Sequence, residues 1–264
     1  MKILYVGDIM GKPGIEVVEQ VVPKLRAKHH VDLVIAQAEN VTDGRGITPT
    51  DYLRLQKAGI DFCTGGNWSL HDPSIIPMMN DPNQPIIRPA NYPSGTPGLG
   101  YKYIQTPDGR VLVISLLGKI VGKDADKPLD NSLQCIDEIL KQNETEPKSA
   151  TVVNFHGDYS SEKVVIGHYL DGRVTAVVGD HWHVPTADAR ILPSGTAHIT
   201  DVGMCGTLDA SLGVTFQSVI PRWRDGIKTR NELETNGQRQ FNGLMIETND
   251  AGLATAVQPM RSIL

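Results

Sequence analysis

The run KILYVGD (residues 2–8) begins as an apolar strand and closes on a glycine and an acid. The same pattern returns at DLVIAQAEN (32–40), DFCTGGN (61–67), TVVNFH (151–156) and VTAVVGDHWH (174–183). Each is a short apolar segment that stops at polar residues, as buried strands of a parallel sheet do. Between the first three, residues 14–28 place Val17, Val18, Val21, Val22 and Leu25 at helical spacing. Residues 48–58 read as a second helix, with Thr48 or Thr50 as cap and Gly59 as stop. The order βαβαβ predicts a parallel sheet and an α/β fold.

Working outward, residues 80–100 are rich in Pro, Gly and Asn and read as a long loop. Tyr101–Gln105 and Val111–Leu116, around Asp108-Gly109, read as a hairpin. Residues 129–142 read as a helix, 143–149 as a polar linker, and 160–170 as a helix capped by Ser160 or Ser161. Beyond residue 188 the pattern becomes short and β-like, at 189–192, 196–199, 241–247 and 253–258. No repeat, heptad or low-complexity tract interrupts the chain, so a single domain over 1–264 is expected.

The chain has 264 residues, 40% of them apolar, which suits a folded domain with a sizeable core. Its net charge of −5 argues against a broad nucleic-acid or membrane-surface patch, but not against a small anion held by a metal. No segment approaches the roughly 20 apolar residues of a membrane helix, and Asp8 comes too early for an export signal. Cys63, Cys135 and Cys205 are sparse and lack CxxC spacing, as expected of reduced thiols in the cytoplasm.

The strand ends carry Asp8, Glu39-Asn40, Asn67, His156 and His181/His183. In an open α/β sheet, loops at the carboxyl ends of strands converge on one crevice. Taken singly, Asp8 is a turn or cap residue, Asn67 a turn residue after two glycines, and His156 a hydrogen-bonded core histidine. His181 and His183 differ, because alternation along an extended segment puts both imidazoles on one side. Oxygen donors beside imidazoles suit a divalent metal centre, and two metals can clamp the attacking and leaving oxygens of a phosphoryl transfer. Other motifs fail: Gly7–Lys12 lacks the P-loop spacing, and no G-x-S-x-G elbow occurs.

The stretches GDIMGKPG (7–14), AEN (38–40), RPANYP (88–93), SEK (161–163), LDGRV (170–174), VVGDHWHVPTAD (177–188) and ILPSGTAHITDVGMCG (191–206) run in the order of a known family. On them the chain resembles the YmdB-like metallophosphoesterases, within the calcineurin-like phosphoesterase superfamily. The match weakens after about residue 207. The resemblance implies a four-layer α/β/β/α sandwich and a centre of two divalent ions, iron or manganese ahead of zinc or magnesium. It assigns Asp8, Glu39 and His183, with Asn40 as an optional fourth ligand, to one ion. It assigns Glu39, Asn67, His156 and His181 to the other, with Glu39 bridging. It further implies hydrolysis of phosphodiesters such as 2′,3′-cyclic AMP by a metal-activated hydroxide, with Asn67 stabilising charge. Cytoplasmic location, homo-oligomeric assembly and a small nucleotide substrate go with it.

Three positions depart from the family pattern. Trp68 stands where a catalytic histidine is expected, Asn154 where an Asp precedes Phe-His, and Asp158 where a Glu follows. An indole donates a hydrogen bond but cannot act as an imidazolium acid. His71, three residues on, is the candidate replacement, the alternative being a plain surface loop residue. The readings left open are a working di-metal phosphodiesterase, a metal-retaining nucleotide- or phosphate-binding regulator with little turnover, and another metallohydrolase such as a phosphomonoesterase.

Overall fold

The computed structural model describes residues 1–264, with every side chain except that of Lys123. In chain order the first half comprises β1 (Lys2–Val6), β2 (Asp8–Ile9), α1 (Gly11–His29), β3 (Leu33–Gln37), α2 (Pro49–Lys57), β4 (Phe62–Thr64), α3 (Ile76–Asn80), β5 (Tyr101–Thr106) and β6 (Gly109–Leu117). There follow α4 (Ser132–Gln142), β7 (Ala150–His156), α5 (Ser160–Tyr169), β8 (Ala176–Asp180), β9 (Arg190–Ile191) and β10 (Ala197–Ile199). The chain ends with β11 (Met204–Thr207), α6 (Phe216–Asp225), β12 (Arg239–Thr248) and β13 (Ala254–Ile263).

Two sheets form. One has the order β2-β11-β12-β1-β3-β4, with β13 on β12, and the other the order β5-β6-β7-β8-β10-β9. Side-chain alternation decides how they stack. Along β1, Leu4 and Val6 face a core shared with Val17, Val18, Val21 and Val22 of α1 and with Tyr52 and Leu55 of α2. Ile3 and Tyr5 point the other way and meet Val111, Val113, Val152, Ala176 and Val178 of the second sheet. On the far side of that sheet Leu112, Ile114 and Leu116 pack with Ile136 and Ile139 of α4 and Ile166 of α5. The layers are therefore α/β/β/α, as the resemblance implies.

The strands β1, β3 and β4 pair in parallel, as do β6, β7 and β8. The first sheet is mixed rather than purely parallel, because β12 runs antiparallel to β1. Helix α1 begins at Gly11, three residues before its expected start, since Gly11 takes a left-handed φ of 61° and turns the chain straight out of β2. Helix α4 begins later than expected. Asn131 caps it, its Oδ1 accepting from the N–H groups of Leu133 and Gln134. The tail is not wholly β-like: α6 lies within it, capped by Thr215 and containing Pro221. Among the described residues no helix is long and apolar enough to cross a membrane.

Candidate metal centre

The parallel pairing brings the carboxyl ends of β3, β4, β7 and β8 to one edge, with Asp8 beside them where β2 pairs with β11. The sequence-predicted residues converge there. His156 Nε2 lies 2.9 Å from Glu39 Oε1 and 3.1 Å from Asn67 Oδ1. The rings of His156 and His181 are 4.4 Å apart between centroids. His183 Nε2 lies 3.3 Å from Asn40 Oδ1 and 3.8 Å from Asp8 Oδ1. One ligand atom each from Glu39, His156 and His181 fall within 4.8 Å of one another.

The backbone is shaped for this convergence. His181 and His183 have φ of 105° and 63°, values that non-glycine residues adopt at a cost. The two imidazoles thus share a side through a turn with left-handed residues, not through the extended alternation expected from sequence. That turn is pinned from beneath. Buried Lys163 donates to Asp180 O at 2.6 Å and Asp201 Oδ2 at 2.8 Å, and the same carboxylate oxygen accepts from Trp182 N at 2.8 Å. Gly66 serves close approach: a Cβ there would collide with Glu39 Oε2 and lie 2.6 Å from His156 Nε2. The loop can therefore lay Asn67 onto the site only with glycine at 66.

Asp180 is a residue of the site that the sequence does not single out, since it reads there only as part of a strand end next to His181 and His183. It is the last residue of β8, fully buried, and its Oδ1 lies 2.6 Å from His156 Nδ1. Its Oδ2 accepts from Tyr5 OH at 3.0 Å, Gln37 Nε2 at 3.2 Å and Asn154 Nδ2 at 2.5 Å. A carboxylate behind the ring fixes Nδ1 and leaves Nε2 toward Glu39 and Asn67, the arrangement of a metal-binding histidine. Asp124 and Asp158 are further neighbours of the centre that sequence reasoning does not place there. Asp124 Oδ2 accepts from Asn67 Nδ2 at 3.1 Å, and Asp158 Oδ1 lies 3.3 Å from His181 Nε2. No sequence signal distinguishes Asp124 from an ordinary polar loop residue.

Electrostatics follow from burial and crowding. Burial, and then the charge of Asp180, push Asp8 well above the usual carboxylate range. Burial also opposes charge on Glu39, but His156, with help from His181 and the Trp68 N–H, holds it below its ordinary value. Burial works against a proton on His156, yet Glu39 and Asp180 on either side hold it well above the usual imidazole range. Burial pushes His183 down to about 4, so its ring is a neutral donor at pH 7.

The donor set fits divalent metal ions. Asp8 Oδ1 is buried and has no hydrogen-bond partner among the described residues, which is costly for a carboxylate oxygen unless a cation satisfies it. Oxygen and imidazole donors without thiolates suit manganese, iron or zinc. His71 is exposed, with its ring edge-on to Trp68 at 5.2 Å between centroids, and it lines a cleft with Arg45 and Arg230.

Comparison with known proteins agrees with this geometry. The model of the family described as YmdB-like protein matches residues 4–260. A 2′,3′-cyclic-nucleotide 2′-phosphodiesterase of Bacillus subtilis is 38% identical over 251 residues, covering 95% of this chain and 92% of that protein. A hypothetical protein from Thermus thermophilus superposes with a TM-score of 0.90 at 33% identity, covering 100% of this chain and 99% of the other. A novel phosphatase from Mycoplasma pneumoniae superposes with a TM-score of 0.91 at 28% identity, covering 100% and 93%.

Proposed function

From the premise that this chain belongs to the YmdB-like family of phosphoric diester hydrolases, we propose that it hydrolyses 2′,3′-cyclic nucleotides at a two-metal site. The two ions are divalent, iron or manganese ahead of zinc or magnesium. The reading is carried by the convergence of Glu39, His156 and His181, whose ligand atoms fall within 4.8 Å of one another. In it Asp8, Glu39 and His183, with Asn40 beside them, hold one ion. Glu39, Asn67, His156 and His181 hold the other. When bound, such ions lower the pKa of water to near neutrality and offset the charge of a phosphoryl group.

The chain's own residues do the rest. Asp180 holds His156 with Nδ1 occupied, so Nε2 faces inward. Trp68 N donates to Glu39 Oε2 at 2.8 Å and fixes the orientation of the bridging carboxylate. Asn67, whose amide is held by Asp124 and His156, would stabilise charge on the phosphoryl group. The leaving oxygen takes its proton from His71 or from solvent. We further propose that residues 1–264 work as one catalytic domain, assembled as a homo-oligomer in the cytoplasm.

A second reading rests on Trp68. Its indole replaces an imidazole and stacks under the guanidinium of Arg45 at 4.9 Å. A protein that binds nucleotide or phosphate with little turnover would keep the metals and not need an acid. Mutation and metal analysis test the ligand assignment. Glu39→Ala should lose more metal than any other single change, because it removes a ligand from both ions. Loss of both ions in His181→Ala with retention in Glu39→Ala would overturn the bridge.

A further inference from the structure

Beside the metal centre lies a cavity of about 590 Å³ that shares Asn67 with it. The segment from Leu117 to Ser132 walls most of the cavity, and Tyr92 and Tyr159 complete it. The volume lies within the usual range for small-molecule sites and far exceeds the needs of a phosphate. Its surface is mixed, with Leu117, Ile120, Val121 and Leu129 alongside the two tyrosines. Val121 is 54% and Tyr159 49% exposed, so apolar and aromatic surface is left open at a concave site.

This wall is tied to the centre at three points. Asp124 Oδ2 accepts from Asn67 Nδ2, as described above. Asp158 touches His181 through Oδ1 while its Oδ2 accepts from Val121 N at 2.7 Å. Tyr92 OH donates to Gly66 O at 3.4 Å. One candidate metal ligand, Asn67, and the glycine before it are therefore in direct contact with the cavity wall, and His181 reaches the wall through Asp158. A molecule held there is in fixed register with a phosphoryl group at the metals.

Apolar and aromatic side chains in a concave site beside the candidate metal centre suit a nucleoside base. We propose that this cavity holds the nucleoside part of the substrate, its base against Tyr159 and Val121, while the metal centre takes the phosphate. The proposal rests on the diesterase reading for the phosphate but on the cavity alone for the nucleoside.

The test compares the parent chain with Val121→Trp, which crowds the position proposed for the base, and Tyr159→Ala, which removes the cavity's aromatic wall. The substrates are 2′,3′-cyclic AMP and bis(p-nitrophenyl) phosphate, a diester without a nucleoside. The ratio of kcat/KM for the cyclic nucleotide to that for the nitrophenyl diester should fall about tenfold in both variants, the loss of one base contact, chiefly through KM. Equal proportional changes for the two substrates would overturn the proposal. Adenosine binding by calorimetry gives a readout independent of turnover. Binding by the parent that is lost in Val121→Trp supports the cavity even if neither diester is cleaved. No adenosine binding by the parent, or equal binding by parent and variant, overturns it.

Discussion

Asp180 Oδ1 lies 2.6 Å from His156 Nδ1, and Asn154 donates to the other oxygen of the same carboxylate at 2.5 Å. The charge behind His156 thus comes from the end of β8, while position 154, where the resemblance leads one to expect an acid, supplies an amide. The pair forms a carboxylate–histidine unit whose outer nitrogen faces Glu39 and Asn67.

Asp180→Asn keeps the shape and removes the charge. Partners of this kind are worth about 10–100-fold in metal affinity. The expected result is a loss of that size in metal titrations, with the fold retained by circular dichroism. Parent-like affinity would show that His156 needs no carboxylate behind it.

Trp68 and His71 divide the question of the proton donor. General acid catalysis supplies about 10²–10⁴-fold. With no acid in place, Trp68→His should raise turnover toward that range at unchanged metal content. If His71 acts in its stead, Trp68→His gains little and His71→Ala loses a comparable factor. Two variants indistinguishable from the parent would assign the proton to solvent.

Metal binding should release protons. Without metal, His156 is held protonated between Glu39 and Asp180, and Asp8 is pushed up by burial and by Asp180. Both must be deprotonated to act as ligands, whereas His183, at about 4, has no proton to lose at pH 7. Binding enthalpy measured in buffers of different ionisation heat should reveal at least about one proton released per chain at pH 7. The sign follows: affinity for Mn²⁺ should rise as pH is raised, because protons compete for His156 and Asp8. Enthalpies independent of the buffer would contradict this charge assignment.

Much of the site is legible in the sequence because its residues sit where apolar runs stop. Asp8, Glu39, Asn67, His156, His181 and His183 all mark strand ends, and parallel topology does the gathering. What is not legible depends on tertiary contacts. The strand expected to stop at Val178 carries on as β8 through Gly179 and Asp180 and buries the carboxylate. The His181-Trp182-His183 turn relies on left-handed φ values at two histidines, which no pattern of residue types announces. Lys163 lies on a helix, and its complete burial is explained by partners distant in sequence, the Asp201 carboxylate, the Asp180 carbonyl and the Trp182 ring.

The tail departs from its β-like reading for a related reason. Helix α6 contains Pro221, and its Phe216, Ile220 and Trp223 stand at helical spacing yet are exposed, Trp223 by 83%, so they do not mark a core-facing helix. Thr215 as cap and Gly226 as a left-handed stop bound it instead. His71, three residues from Trp68 in sequence, lies against the indole edge and lines a cleft with Arg45, contacts that spacing alone does not announce.

Metal-dependent diester hydrolysis is the activity on which every other expectation depends. It is tested most directly by stripping the protein of metal, titrating it with Mn²⁺, and following 2′,3′-cyclic AMP hydrolysis and bound metal together. Turnover should rise with occupancy, saturate near two ions per chain, and be lost in Asp8→Asn. Saturation of the metal sites with no hydrolysis of the cyclic nucleotide would contradict it.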